Sequence, residues 1–160
     1  MAGGELLWVQ PRNGLDFELR GGDQVVGSLR WERYSLARGE TADQQWTFKR
    51  EGIWHPHVTV RVAGSDVNLG LFHPDWRGGG RLELGRPLQF GASSFWRPRW
   101  DWMEGDQPLV HFKRRGMFKL ESHVEIEKGA AASPDVPLLV VLGWYLLVLT
   151  ALDAQSGAGA

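Results

Sequence analysis

The sequence predicts a mainly β fold: a closed antiparallel barrel of about twelve strands around a buried hydrophobic C-terminal helix. Three observations predict it. Residues 136–152, VPLLVVLGWYLLVLTAL, carry no charge. The residues before them read as short strands with one apolar and one polar face, punctuated by turns. Nine tryptophans in 160 residues supply large amphipathic rings, suited to filling a wide core or collaring a barrel. A helix apolar on every side cannot lie on a water-facing surface, so it belongs inside protein or lipid.

The strands follow in order. In residues 16–20, Phe17 and Leu19 face one way and Asp16, Glu18 and Arg20 the other. Residues 25–33 set Val25, Gly27, Leu29 and Trp31 on one side. Trp46 and Phe48 alternate with Thr47 and Lys49 before a turn at Gly52. In residues 57–62 the valines at 58, 60 and 62 share a face, and Val67, Leu69 and Leu71 repeat the pattern. Leu82 and Leu84 follow the turn at 77–80, and then come residues 88–90, 94–103, 109–113 and 117–127. In the last run Leu120, Ser122, Val124 and Ile126 point inward. About ten to twelve such strands with one wet face argue for closure, since a closed sheet has no exposed edge. A barrel this wide is not filled by its own side chains and needs a ligand, water or a plug, and the apolar helix is the plug.

The expected central helix covers residues 135–153, with Ser133, Pro134, Asp135 and Pro137 at its start. Leu138, Leu139, Leu142, Gly143, Trp144, Leu146, Leu147 and Leu149 are its core-facing residues. Residues 1–153 then form one domain and 154–160 a flexible tail. A tail anchor in a membrane is the alternative for this segment. At about 1.5 Å per residue, however, the segment reaches roughly 25 Å against a hydrocarbon core of roughly 30 Å. No basic cluster flanks it, and Trp144 and Tyr145 fall mid-segment, not at an interface. Gly143 costs a helix interior about 0.5 to 1 kcal/mol relative to Ala, which predicts a strand or bulky ring close to the backbone there.

Chemistry is sparse. Net charge is −1, from 18 basic and 19 acidic residues, so no polyanion such as nucleic acid is favoured as a partner. Cysteine is absent, and the start MAGGELLWVQ lacks the basic and apolar regions of a secretory signal. A cytoplasmic location is expected. There is no phosphate-binding glycine loop before a helix and no G-x-S-x-G motif. His55 and His57 share a face at i and i+2, but Pro56 between them suits a strand entry and no carboxylate completes a metal site. The expectation is a non-enzyme without cofactor or metal.

One patch stands out. A hairpin of residues 94–103 and 109–115 gathers Arg97, Arg99, Lys113, Arg114 and Arg115, with Lys119 just beyond and Trp96 and Trp100 close by. Cations beside interfacial rings suit anionic headgroups. Such a patch defines a binding or tethering module, peripheral at an anionic phospholipid surface. The alternative is a solvated exterior with salt bridges to Asp101 and Glu121, in a protein-interaction or structural barrel with no lipid ligand.

The order of these segments resembles a known family. A glycine-containing strand ending in Trp (VVGSLRW, 25–31), then QWTFKREG (45–52), then W-x-W at Trp100 and Trp102, then the terminal LLVVLGWYLL (138–147) resemble the tubby C-terminal-like superfamily. That group includes the phospholipid scramblases and LURP-one-related proteins. The resemblance spans residues 6–152, is to the prokaryotic type of member, and implies about twelve strands around a hydrophobic C-terminal helix. The chain lacks the cysteine-rich stretch, proline-rich arm and acidic calcium loop of eukaryotic scramblases, so lipid scrambling does not carry over. Nor is there a residue-by-residue match to the tubby phosphoinositide site.

Overall fold

The computed structural model describes residues 4–93, 99–116 and 119–157. Within them twelve strands close into one antiparallel barrel. They are β1 (Leu6–Val9), β2 (Asp16–Gly21), β3 (Gln24–Arg33), β4 (Leu36–Thr41), β5 (Gln45–Glu51) and β6 (His57–Val62). The second half comprises β7 (Gly70–Pro74), β8 (Gly80–Glu83), β9 (Pro87–Ala92), β10 (Arg99–Glu104), β11 (Gln107–Arg115) and β12 (Glu121–Ile126). Each strand pairs with its chain neighbours, and β1 closes on β12 with Leu6 opposite Val124 and Trp8 opposite Ser122. Down the centre runs α1 (Val136–Gly157).

Alternation placed most strands and missed two. In β1, Leu6 and Trp8 turn inward, but four residues are too few to register as a period. The inward residues of β4 are Ala37 and Gly39, so the strand lacks large apolar residues to mark it. Their smallness is a packing requirement: a Cβ on Gly39 would overlap Val141 of α1 and lie 2.9 Å from the Phe48 ring.

Three parity expectations are corrected. Val25 is 55% exposed, because Leu19 pairs with Gly27 and Arg20 with Val25, leaving Val26 as an extra residue that packs on the core. Such a bulge reverses the facing of everything beyond it. Val67 and Leu69 are exposed, since β7 begins only at Gly70 and its inward residues are Gly70 and Phe72. Val62, at the end of β6, is exposed as well. Of the strands expected over 94–103 and 117–127, residues 94–98, 117 and 118 lie outside the described residues, and β12 spans Glu121–Ile126.

The helix occupies the lumen. Trp144 stacks on Trp8 at 6.1 Å and meets Phe17 edge-on at 5.6 Å. Tyr145 stacks on Trp31 at 5.0 Å and touches Phe48 at 5.3 Å, and its hydroxyl donates to the Ser35 carbonyl at 2.6 Å. Burial raises the pKa of that phenol, so it stays protonated. The Trp102 indole N–H donates to the Leu139 carbonyl at 2.8 Å. Gly143 makes the space for this approach, because a Cβ there would overlap the Phe112 ring and sit 2.8 Å from Trp102 Nε1.

Each end of the helix is tied to the wall. At the start, Arg86 donates to Asp135 at 2.8 Å and to Glu104 at 2.9 Å. At the other end Arg50 forks onto Asp153 at 2.6 and 3.0 Å. The buried stretch, residues 136–149, spans roughly 21 Å at about 1.5 Å per residue, close to the roughly 20 Å of a six-residue strand. The final turns therefore emerge from the barrel. They run on to Gly157, so residues 154–157 of the expected tail are helical. By length and composition α1 could cross a membrane, but here its surroundings are protein.

Candidate functional site at the basic end of the barrel

Because every strand pairs with its neighbour in sequence, the connections alternate between the two ends of the barrel. The turns after β2, β4, β6, β8 and β10 share the end where α1 starts; four of them carry Asp23, Asp43, Asp66 and Asp106, and the β8–β9 turn carries Arg86, which is paired with Glu104 and Asp135. The connections after β1, β3, β5, β7, β9 and β11 share the opposite end, where α1 emerges beside Arg50. Arg12, Arg33, Arg77, Arg99, Lys113, Arg115 and Lys119 lie there, with Glu32, Glu51, Asp75 and Glu121 among them. The barrel is thus acidic at one end and mainly basic at the other.

The expected patch falls at the basic end but divides. Arg99 pairs in register with Lys113, and Arg115 with Glu121; all three cations are exposed, as is Lys119. Arg114 does not belong with them. It continues the inward row of Val110 and Phe112, half-buried, and burial lowers its pKa. Its Nε has no partner among the described residues, and one Nη donates weakly to the Lys119 carbonyl at 3.4 Å. Arg97 lies outside the described residues. Arg99 reaches Asp101 at 3.2 Å, one of the salt bridges the alternative reading expects.

Between these cations and the acidic end sits a cluster that sequence reasoning passed over. His111 is a buried residue on the outer face, with Nδ1 2.5 Å from Asp101 and Nε2 2.6 Å from Glu127. Asp101 and His111 are register partners on β10 and β11, while Glu127 follows β12, so no spacing in the chain announces the triad. Burial by itself disfavours the imidazolium, but the two carboxylates outweigh burial and the repulsion of Arg99, and the net pKa is raised. With both ring nitrogens held, His111 is placed as a structural cation and has no nitrogen free to act as a base or ligand. A neighbouring cavity of about 510 Å³ is lined by Arg99, Lys113, His111, His123, Glu5 and Glu125, cations and carboxylates mixed.

The sign of the resulting pH dependence is fixed by the raised value. The stabilisation from the His111 proton is complete below the unfolded pKa, about 6.5, and is lost as pH rises through the folded-state value. Melting temperature is therefore expected to fall as pH is taken from 6.5 upward. His111→Gln should remove that slope and lower stability by about 1 to 3 kcal/mol at pH 6.5. A wild-type profile as flat as the variant's would contradict the triad.

Of the other histidines, His123 places Nδ1 3.2 Å from Glu5. His57 Nδ1 lies 3.2 Å from the His55 carbonyl and its Nε2 4.0 Å from Glu51. Among the described residues no group of three His, Asp or Glu side chains is placed to hold a metal ion. Nor do all the tryptophans serve the core. Trp8, Trp46, Trp102 and Trp144 are fully buried, but Trp54 and Trp76 stand on hairpin tips, 88% and 87% exposed. Comparison of the chain with protein-family models, curated proteins and solved structures finds no match.

Proposed function

We propose that the protein is a non-enzymatic binding or tethering module, peripheral at the cytoplasmic face of a membrane, whose basic end associates with anionic phospholipid. The observation that carries this reading is the segregation of charge: a chain of net charge −1 places Arg99, Lys113, Arg115 and Lys119, all exposed, at one end and its acidic turns at the other. Each basic side chain near an anionic surface contributes about 1 kcal/mol, so four of them support weak, reversible association. The helix-filled barrel also supports the resemblance to the tubby C-terminal-like superfamily.

The test is sedimentation with phosphatidylcholine vesicles, with and without phosphatidylserine. Binding is expected only to the anionic vesicles. It should fall steeply with salt, since the Debye length shrinks from about 8 Å at physiological ionic strength to about 3 Å at 1 M. The triple variant Lys113→Gln, Arg115→Gln, Lys119→Gln should lose the binding while its melting temperature barely moves, an exposed ion pair being worth only about 0 to 1 kcal/mol. Binding that ignores salt or survives the triple variant would overturn the reading and favour a protein-interaction barrel.

A further inference from the structure

Resting on that reading, we propose that three hairpin tips at the basic end, bearing Tyr34, Ile53 with Trp54, and Trp76, form an apolar anchor that enters the interfacial layer of an anionic phospholipid bilayer. These four side chains are 95%, 90%, 88% and 87% exposed. They occupy the connections β3–β4, β5–β6 and β7–β8, three consecutive hairpins that the topology brings to one arc of the rim. The adjoining arc, β10 to β12, carries Arg99, Lys113, Arg115 and Lys119. At the acidic end the exposed large apolar side chains among the described residues are Val25, Val62, Val67 and Leu69, all aliphatic.

The tips are built to hold rings that the fold does not use. Tyr34 has φ 49°, the left-handed region that disfavours any residue with a Cβ and that glycine or asparagine usually fills. The turn is nonetheless held there, its carbonyl accepting from the Trp31 indole at 2.8 Å, and Trp31 stacks on Tyr145 of the helix. The Tyr34 ring is left almost wholly in solvent. It therefore adds backbone strain without core burial, the opposite of what stability alone selects. At the third tip the Asp75 carboxylate accepts from the Arg77 amide at 2.8 Å, and the Arg77 guanidinium lies 4.8 Å from the Trp76 ring centre.

Ring and cation side by side recur, with Arg33 next to Tyr34 and Arg77 next to Trp76. Two nearby carboxylates are engaged elsewhere, Glu32 with Arg38 at 3.1 Å and Glu51 with Lys49 at 3.7 Å. Amphipathic rings partition to the level of lipid headgroups, and cations beside them meet phosphate and carboxylate groups there. Separate points along a rim, not one groove, suit a partner that deforms around them, which a lipid interface does.

The experiment uses the full chain and phosphatidylcholine–phosphatidylserine vesicles, comparing wild type with Trp54→Ser/Trp76→Ser, with Tyr34→Gly, and with the triple charge variant. The double tip variant is expected to bind at least about tenfold more weakly, with its salt dependence retained and its melting temperature unchanged. Phosphatidylcholine brominated near the headgroup end of its chains should quench wild-type fluorescence and lose most of that quenching in the tip variant. Tyr34→Gly should weaken binding and raise the melting temperature, separating the anchor from the fold. If the wild type shows no salt-sensitive binding at all, the surface-binding reading fails and the anchor with it. If the wild type binds but the tip variant binds equally and bromine does not quench, only the anchor is overturned. Docking is then electrostatic, and the rings are left for a protein partner.

Discussion

A chain ending at Pro134 is expected to have no cooperative fold. Among the described residues α1 contributes twelve buried apolar side chains: Val136, residues 138–142 and residues 144–149. At roughly 1.5 to 3 kcal/mol for each, their burial is worth on the order of 20 to 35 kcal/mol, beyond the roughly 5 to 15 kcal/mol by which whole proteins are stable. The wall would lose its inner partner as well. Trp8, Phe17, Phe48, Trp102 and Phe112 all face the helix, and without it they would line water. Circular dichroism and calorimetry of residues 1–134 check this. A soluble fragment with a sharp melting transition would show that the barrel closes unaided and that the helix is an accessory.

Gly143→Leu is expected to destabilise by about 3 kcal/mol, at the upper end of typical overpacking costs. A Cβ alone would come within 2.6 Å of Phe112 Cε2 and 2.8 Å of Trp102 Nε1, both on ring systems hemmed in by other side chains. Displacing Trp102 also breaks its hydrogen bond to the Leu139 carbonyl, in the lumen where water cannot replace it. For a chain of this size the melting temperature should fall by about 6 to 12 °C. Gly143→Ala makes the sharper comparison. On an exposed helix it would stabilise by about 0.5 to 1 kcal/mol, whereas here it should destabilise. A raised melting temperature for Gly143→Ala would mean that the rings move aside at little cost.

Gly143 also shows how far one chain of letters reaches. A glycine in the middle of an otherwise good helix former is unfavourable locally, so a close neighbour was inferable. Which neighbour was not, since Phe112 and Trp102 are separated from it by 31 and 41 positions. The candidate patch divides the same way. That Arg99, Lys113 and Arg115 come together followed from a short turn between two strands. That Arg114 points inward required knowing where the bulge in the β10–β11 pair falls and which row contains Phe112.

Read alone, the charge-free run at 136–152 requires that a helix there be largely enclosed, because a helix apolar on every side has no stable position in water, and residues 136–149 are the part that is buried. The sequence also determined that the residues before this run form strands, because their apolar side chains recur with the period of a pleated sheet. These are local properties, read over a few residues. Which β4 positions had to be as small as Ala37 and Gly39, and where Val26 is inserted as a bulge, was settled by the packed barrel. It also decided that His111 meets Asp101 and Glu127, and that Tyr34, Trp54 and Trp76 share one rim with the exposed cations. Each of those depends on strand pairing and barrel closure, which bring distant residues within a few ångströms by long-range contacts that no local period encodes.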